Sequence, residues 1–482
     1  MLRAILLTSQ TAIANLFLSS FSIFMDTEQS ILRVLMFPWL AYGHISPYLT
    51  VAKKLACRGF YVYLCSTPVN LNFIKKKIPQ KYSFSIQLVE FHLPDLPELP
   101  PSYHTTNGIP PHLNYTLKKA LKMSKPNFYK IIENLKPNML IYDILQPWAK
   151  EVANSYNIPA VMLLTFSAAM LSYIFHPVKK PGTEFPFPAL YLREIERQRR
   201  EEMMEKAAKE KDPDDKDPFA EEEEPMNKII LMSTSRATEA KYIDYFTELI
   251  QWKIAPVGPP VQETTNEYDG DLDDDLIDWL GKKYENSTVF VSFGSQYFLS
   301  KEDLEEIALG LELSNVNFIW VVRFPKGEEV RVEEALPEGF LERIGDRGRV
   351  VNGWAPQLRI LSHPSTGGFV SHCGWNSVME SIDFGVPIIA LPMHLDQPIN
   401  ARLIVELGVA MEIVRDDEGK VHRGEVAQVV KSVIYEKTGE NLRNKVREIS
   451  ENLNQEREEE MDAAVGELVQ LCKTSKSNNM ML

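Results

Sequence analysis

Between Trp354 and Gln397 the sequence crowds together residue types suited to an anionic, hydroxyl-rich, aromatic ligand. They are Trp354-Ala355-Pro-Gln357, His363, Gly367-Gly368, His372-Cys-Gly374-Trp375-Asn376-Ser377, Glu380 and Asp396-Gln397. The Gly-Phe-Val-Ser run before His372 reads as a strand, and Gly374 permits a tight turn into a helix starting near Trp375. Free backbone N–H groups at such a helix start, reinforced by the helix dipole, form an anion site, to which Asn376 and Ser377 add side-chain donors. Glu380 falls four residues after Asn376 on the same helix face, where it can accept hydrogen bonds from a hydroxyl beside the phosphate. Trp354 offers a flat face for a base. Taken singly, His372 or Asn376 could merely cap a helix; the array as a whole points to a nucleotide-type ligand.

A second constellation is Gly43-His44, placed between an apolar run and a helical segment. The dipole at a helix start favours the neutral imidazole, a ring able to take a proton from a hydroxyl. A capping or structural role is the alternative for His44 alone.

These residues need elements to hold them. From residue 31 the chain alternates short apolar runs with amphipathic segments, which predicts a parallel α/β sheet. Strands are expected over 31–37, 60–66, 138–142 and 160–164, with a helix from about residue 43 to Arg58 and another marked by Trp148, Val152 and Tyr156. After the stretch Ala255-Pro-Val-Gly-Pro-Pro260 and an acidic run to Asp275, which reads as a linker, a second series begins. It has strands over 288–293, 318–322, 368–371 and 387–391, and Ser300 as the N-cap of a helix through Leu313. Two such halves imply a cleft, because open α/β sheets bind ligands at the carboxyl ends of their strands. The charged stretch 440–471 reads as one or two surface helices. Residues 193–224 contain 22 Asp, Glu, Lys or Arg residues and read as a solvated helix plus a Pro/Asp-rich loop, with a lid over the cleft as the alternative.

The whole chain of 482 residues has 52 basic and 66 acidic residues, a net charge of −14. Such a surface repels phosphate backbones, so no nucleic-acid partner is expected. Four cysteines in so long a chain cannot form a disulfide framework and read as reduced thiols in a cytoplasmic setting. Residues 1–24 form an apolar extension with a basic start, interrupted by Ser9, Gln10, Thr11 and Asn15. It reads as a non-essential extension, with a targeting signal as the alternative. No later segment is apolar enough to span a bilayer. Asp271-Leu-Asp273 could suggest a metal–diphosphate motif, but it precedes Leu276-Ile-Asp-Trp-Leu280 as a helix cap would. The spacing of His363, His372, Cys373 and His394 matches no compact zinc pattern. No Gly-x-Gly-x-x-Gly follows the first strand, against a nicotinamide dehydrogenase.

The 44 residues from Trp354 to Gln397 resemble, without a gap, the signature box of plant family 1 UDP-sugar-dependent glycosyltransferases, and the resemblance continues over nearly the whole chain from residue 31. It implies a GT-B fold, two Rossmann-like domains facing across a cleft. Residues 25–255 would bind the acceptor, 256–455 the UDP-sugar, and 456–482 would return to the first domain. It implies that Trp354 stacks on uracil, Ala355 pairs with it through backbone groups, and Gln357 and Glu380 hold the ribose. His372, Asn376 and Ser377 would bind the diphosphate after the Gly374 turn, with Ser295 as a further phosphate contact. Trp375 would flank the sugar, and Asp396 and Gln397 would hold its hydroxyls, Gln397 resembling the glucose-using members. His44 would be the general base, paired with Asp143 at a later strand end, in a metal-independent, inverting transfer without any cofactor. The run Pro38-Trp-Leu-Ala-Tyr-Gly-His44 and the box ending Pro-Met-His-Leu-Asp-Gln-Pro look like the branch-forming members. These add a sugar to a sugar already on a terpenoid or phenolic aglycone, triterpenoid glycosides leading. Direct glucosylation of an aglycone, or a non-catalytic UDP-sugar-binding protein, are the alternatives. Members of this family are usually monomers.

Overall fold

A computed structural model describes residues 31–209, 228–261, 271–295, 297–325 and 330–479. The 1–24 extension, the end of the charged segment (210–224) and most of the acidic run before Asp271 lie outside the described residues.

Two parallel sheets organise the chain. The first has seven strands: β1 (Arg33–Phe37), β2 (Tyr61–Ser66), β3 (Ile86–Glu90), β4 (Met139–Tyr142), β5 (Ala160–Leu164), β6 (Ile229–Met232) and β7 (Lys253–Pro256), in the order β3-β2-β1-β4-β5-β6-β7. The second has six: β8 (Thr288–Ser292), β9 (Asn317–Val322), β10 (Gly348–Asn352), β11 (Thr366–Ser371), β12 (Ile388–Ala390) and β13 (Ala410–Glu412), ordered β10-β9-β8-β11-β12-β13. Each strand expected from the sequence is present, with ends shifted by no more than two residues. Strands such as β4 and β8 are buried along their full length, as helices on both faces require, so they read as continuous Val/Ile/Leu runs without alternation.

In both sheets the order reverses beside the first strand of the unit, β1 between β2 and β4, β8 between β9 and β11. Crossovers leave in opposite directions there and open a crevice at the strand carboxyl ends. Register aligns those ends: Phe37 pairs with Tyr142 and Met36 with Ile141 in the first sheet, and Ser371 pairs with both Ser292 and Ala390 in the second.

The expectation of surface helices over 440–471 is corrected. A single helix runs from Lys437 to Asn479. It buries Val446, Ile449 and Leu453, then Met461, Ala464, Leu468, Leu471 and Cys472 in the core of the first sheet. The spacing of three and four was legible, but the dense charge between these residues masked it. Those charges have specific partners: Arg58 with Glu458 and Asp462 at 2.7 Å each, Arg457 with Asp383, and Glu460 with the Arg236 amide at 2.7 Å. Residue 456 falls inside this helix, between its two packing stations.

The charged segment is likewise only partly solvated. Its helix, Glu194–Lys209, is fixed at its start, where Arg193 grips both oxygens of Glu412 (2.6 and 3.1 Å) and Arg402 bridges Glu412 (2.7 Å) and Glu196 (3.0 Å). Arg402 is 3% exposed along its side chain and lies 4.9 Å from the Tyr191 ring centre. This buried cluster ties the first unit to the helix that opens at Gln397. No disulfide joins Cys57, Cys65, Cys373 and Cys472. Among the described residues no helix is long and apolar enough to cross a membrane.

Candidate active site

Three neighbouring strands of the first sheet deliver one polar cluster. His44 lies in the first turn of the Tyr42–Ala56 helix that follows β1, Asp143 directly follows β4, and Thr165 directly follows β5. His44 Nδ1 lies 2.7 Å from Asp143 Oδ2 and 3.2 Å from Thr165 Oγ1. The carboxylate is itself held: the Trp39 amide donates to Oδ2 (3.2 Å) and the Leu145 amide to Oδ1 (3.1 Å). The Asp143 side chain is 1% exposed, and its contact orients the ring with Nδ1 toward the carboxyl group and Nε2 away from it. The edge of Phe166 packs against the His44 ring, centroids 5.4 Å apart, which fixes the ring plane. Sequence reasoning found His44 and Asp143 but missed Thr165; its signal was the position one residue past the strand adjacent to β4.

The second sheet presents the ligand-type constellation from the opposite side. The Trp375–Asp383 helix begins after Gly374, which has no capping side chain, so its first N–H groups face outward from the end of β11. The tip of the His372 ring is inserted between two glycines: a Cβ built on Gly374 would lie 2.5 Å from Nε2, and one on Gly294 2.6 Å. Burial pushes the His372 imidazole down to about 4, with His394 adding to the shift and the Ser292 backbone opposing it, so this ring is neutral at physiological pH. Its Nδ1 and the Asn376 Oδ1 are buried without a protein partner among the described residues. Two buried polar atoms left open beside an uncapped helix start suit a polar ligand there.

Gln357 and Glu380 lie together, Gln357 Nε2 donating to the carboxylate at 2.5 Å and to Ser377 Oγ at 3.2 Å. Burial pushes the Glu380 carboxyl up to about 7 from 4.5, while the Gln357 hydrogen bond and Lys77 pull it down. The folded chain therefore keeps a proton that the unfolded chain releases near 4.5. The stability carried by that proton is complete below 4.5 and lost as pH rises through about 7. Glu380→Gln is accordingly expected to gain on the wild type in thermal unfolding between pH 5 and pH 8; a melting difference that stays constant over that range contradicts this.

Trp354 is 53% exposed and presents open ring surface, while the adjoining Ala355 is buried. Ser295 sits half-buried in the turn after β8, beside Gly294. Asp396 accepts from Asn400 Nδ2 at 2.7 Å, and burial pushes its carboxyl above the ordinary value. Gln397 uses its carbonyl oxygen within the protein, accepting from the Met393 and His394 amides at 3.0 Å each, and its amide nitrogen lies 3.4 Å from His394 Nδ1, with a second N–H left to donate. The ring of Trp375 is buried and its indole N–H donates across the cleft to the Ser233 carbonyl at 2.8 Å.

The two constellations face each other directly. Asn376 Nδ2 donates to the Gly43 carbonyl (2.9 Å), one residue from His44, and Ser167 Oγ donates to Asn400 (2.6 Å). No local pattern marks Ser167, Ser233 or Asn400, because each acts across a contact between residues more than 140 apart in the chain. Among the described residues no group of three or more His, Cys, Asp or Glu side chains is arranged to hold a metal ion.

Residues 263–465 match the family model "UDP-glucoronosyl and UDP-glucosyl transferase", and residues 30–259 match "Glycosyltransferase, N-terminal domain". The chain is 56% identical over 446 residues, 92% of its length, to the whole of beta-D-glucosyl crocetin beta-1,6-glucosyltransferase from Gardenia jasminoides. It is 50% identical over 441 residues to mogroside IIIx synthase from Siraitia grosvenorii, covering 91% of this chain and 93% of that one. The crystal structure of Glycyrrhiza uralensis UGT73P12, complexed with glycyrrhetinic acid 3-O-monoglucuronide, superposes with a TM-score of 0.78 over 94% of this chain and 97% of that one; at 23% identity this likeness speaks to the fold.

Proposed function

The chain belongs to the UDP-glucoronosyl and UDP-glucosyl transferase family, and from that membership we propose an inverting glucosyltransferase that adds a β-glucosyl unit to the sugar of a terpenoid glycoside. Residues 25–255 seat the acceptor, and 256–455 seat UDP-glucose. Uracil stacks on Trp354 and pairs with the Ala355 backbone, and the ribose is held by Gln357 and Glu380. The diphosphate meets the helix start at Gly374–Ser377, with His372 Nδ1, Asn376 and Ser295 as further contacts. Asp396 and the Gln397 amide nitrogen hold hydroxyls of the glucose, and Trp375 keeps the helix start against the first sheet.

His44 Nε2 removes the proton of an acceptor hydroxyl as its oxygen attacks the anomeric carbon from the face opposite UDP. The C–O bond to the diphosphate breaks as the new one forms, so an α-linked donor gives a β-product. Asp143 stabilises the imidazolium formed. Negative charge developing on the departing diphosphate is met by helix N–H groups already aimed at it, a preorganised stabilisation that requires no metal. The observation that carries this reading is the placement of the His44–Asp143 pair directly against the uncapped helix start, with Asn376 bonded to Gly43.

The acceptor class is supported by relatives whose names describe transfer to glucosylated crocetin and formation of a mogroside. Incubation with UDP-glucose and paired acceptors, each terpenoid aglycone beside its monoglucoside, is expected to add one hexose to the glucosides and none to the aglycones. Hexose transfer to the aglycones instead overturns the sugar-on-sugar assignment.

A further inference from the structure

The niche assigned to the uridine half of the donor is not built from the second sheet alone. The Pro68–Lys75 helix of the first unit brings the edge of Phe73 onto Trp354, ring centroids 5.8 Å apart at 81°. Lys77 Nζ lies 4.0 Å from the Phe73 ring centre and 5.7 Å from that of Trp354. Tyr42 stacks on Phe73 at 3.8 Å and 11°, so an aromatic series runs from the helix bearing His44 to Trp354. Lys77 also lies within electrostatic reach of Glu380.

We propose that Phe73 and Lys77 complete the uridine site across the cleft, Phe73 walling the base and the Lys77 ammonium donating hydrogen bonds to uridine oxygens. This rests on Trp354 and Glu380 being the uridine contacts. An ammonium offers three donors and no acceptor, which matches the carbonyl and hydroxyl oxygens a uridine presents. Its partial burial makes such bonds stronger than at an open surface. Phe73 adds apolar contact where Trp354 is still half-exposed. Nucleotide recognition is then shared by both units, and a bound UDP-sugar reinforces the contact between them.

Calorimetric titration with UDP and UMP tests the assignment, using Trp354→Ala as a reference for the site itself. Lys77→Met, which keeps the apolar stem, is expected to bind both nucleotides about 5–30-fold more weakly, Phe73→Ala to show a loss of similar size, and Lys77→Arg to stay within about threefold of wild type. Unchanged thermal unfolding of the Lys77 variants separates this loss from misfolding. Wild-type affinity in Lys77→Met, with weakened binding in Trp354→Ala, overturns the cross-cleft role. A loss in Lys77→Met that is much larger for UDP than for UMP overturns the uridine assignment in favour of the diphosphate. Wild-type affinity in Trp354→Ala overturns the underlying placement of the base instead.

Discussion

Replacing His44 with alanine is expected to lower glucosyl transfer by about 10²–10⁴-fold while leaving UDP-glucose affinity close to wild type. The reason is the division of labour between the two sheets. The imidazole is 12% exposed, held through Nδ1 by Asp143 at 2.7 Å, and its ring plane is set by Phe166. The donor-side groups reach this region through the Gly43 backbone carbonyl, which the substitution retains. Asp143→Asn gives the matching control: an amide in place of the carboxylate can present N–H to Nδ1, which would put the ring proton on Nε2 and abolish its basicity. A loss of the same order is expected there. Steady-state UDP release combined with calorimetric binding separates the two effects. Turnover near wild type in His44→Ala removes the imidazole from the chemistry, whatever the donor affinity.

Gly294→Ala is expected to damage donor binding and folding together. A Cβ there would stand 2.6 Å from His372 Nε2 and 2.8 Å from Cε1, distances at which something must move. The ring tip has little room to yield, because Gly374 approaches the same nitrogen on another side, a Cβ there falling at 2.5 Å. Gly294 also has φ +74°, which costs a side-chain-bearing residue about 1–2 kcal/mol. Overpacking adds about 1–3 kcal/mol. Displacing His372 should also raise the KM for UDP-glucose by about tenfold or more, since a lost charge-assisted hydrogen bond of about 1.5–3 kcal/mol has that effect. Gly424→Ala, where a Cβ meets nothing within 4 Å, is the neutral comparison. Equal denaturant midpoints and equal KM values for the two variants would show that the His372 slot is not tight.

These two sites differ in how far the sequence revealed them. The donor side is one continuous stretch, 44 residues holding strand, turn and helix, so local spacing alone placed Asn376, Ser377 and Glu380 on a helix start. The pair proposed as catalytic is separated by 99 residues, and composition and periodicity cannot couple His44 to Asp143; only the resemblance did. Thr165, Ser233 and Asn400 belong to long-range contacts that no local pattern encodes. The fold was legible because fully buried parallel strands leave uninterrupted apolar runs. The last helix was misread for the opposite reason: Arg457, Glu458 and Glu460, charges that suggested solvent, are paired with Asp383, Arg58 and the Arg236 amide of neighbouring elements. The charged segment was half legible, since residues 201–206 are exposed while Arg193 and Glu196 close a cluster with Arg402 and Glu412.

The central claim is a single inverting displacement onto the hydroxyl of an existing sugar. Its most direct test is nuclear magnetic resonance of the product formed from UDP-glucose and a terpenoid monoglucoside, reading anomeric configuration and linkage in one spectrum. The account predicts a new β-anomeric glucose correlated to a carbon of the acceptor sugar. An α-linked glucose would contradict the single displacement, and a glucose correlated to an aglycone carbon would contradict the acceptor assignment.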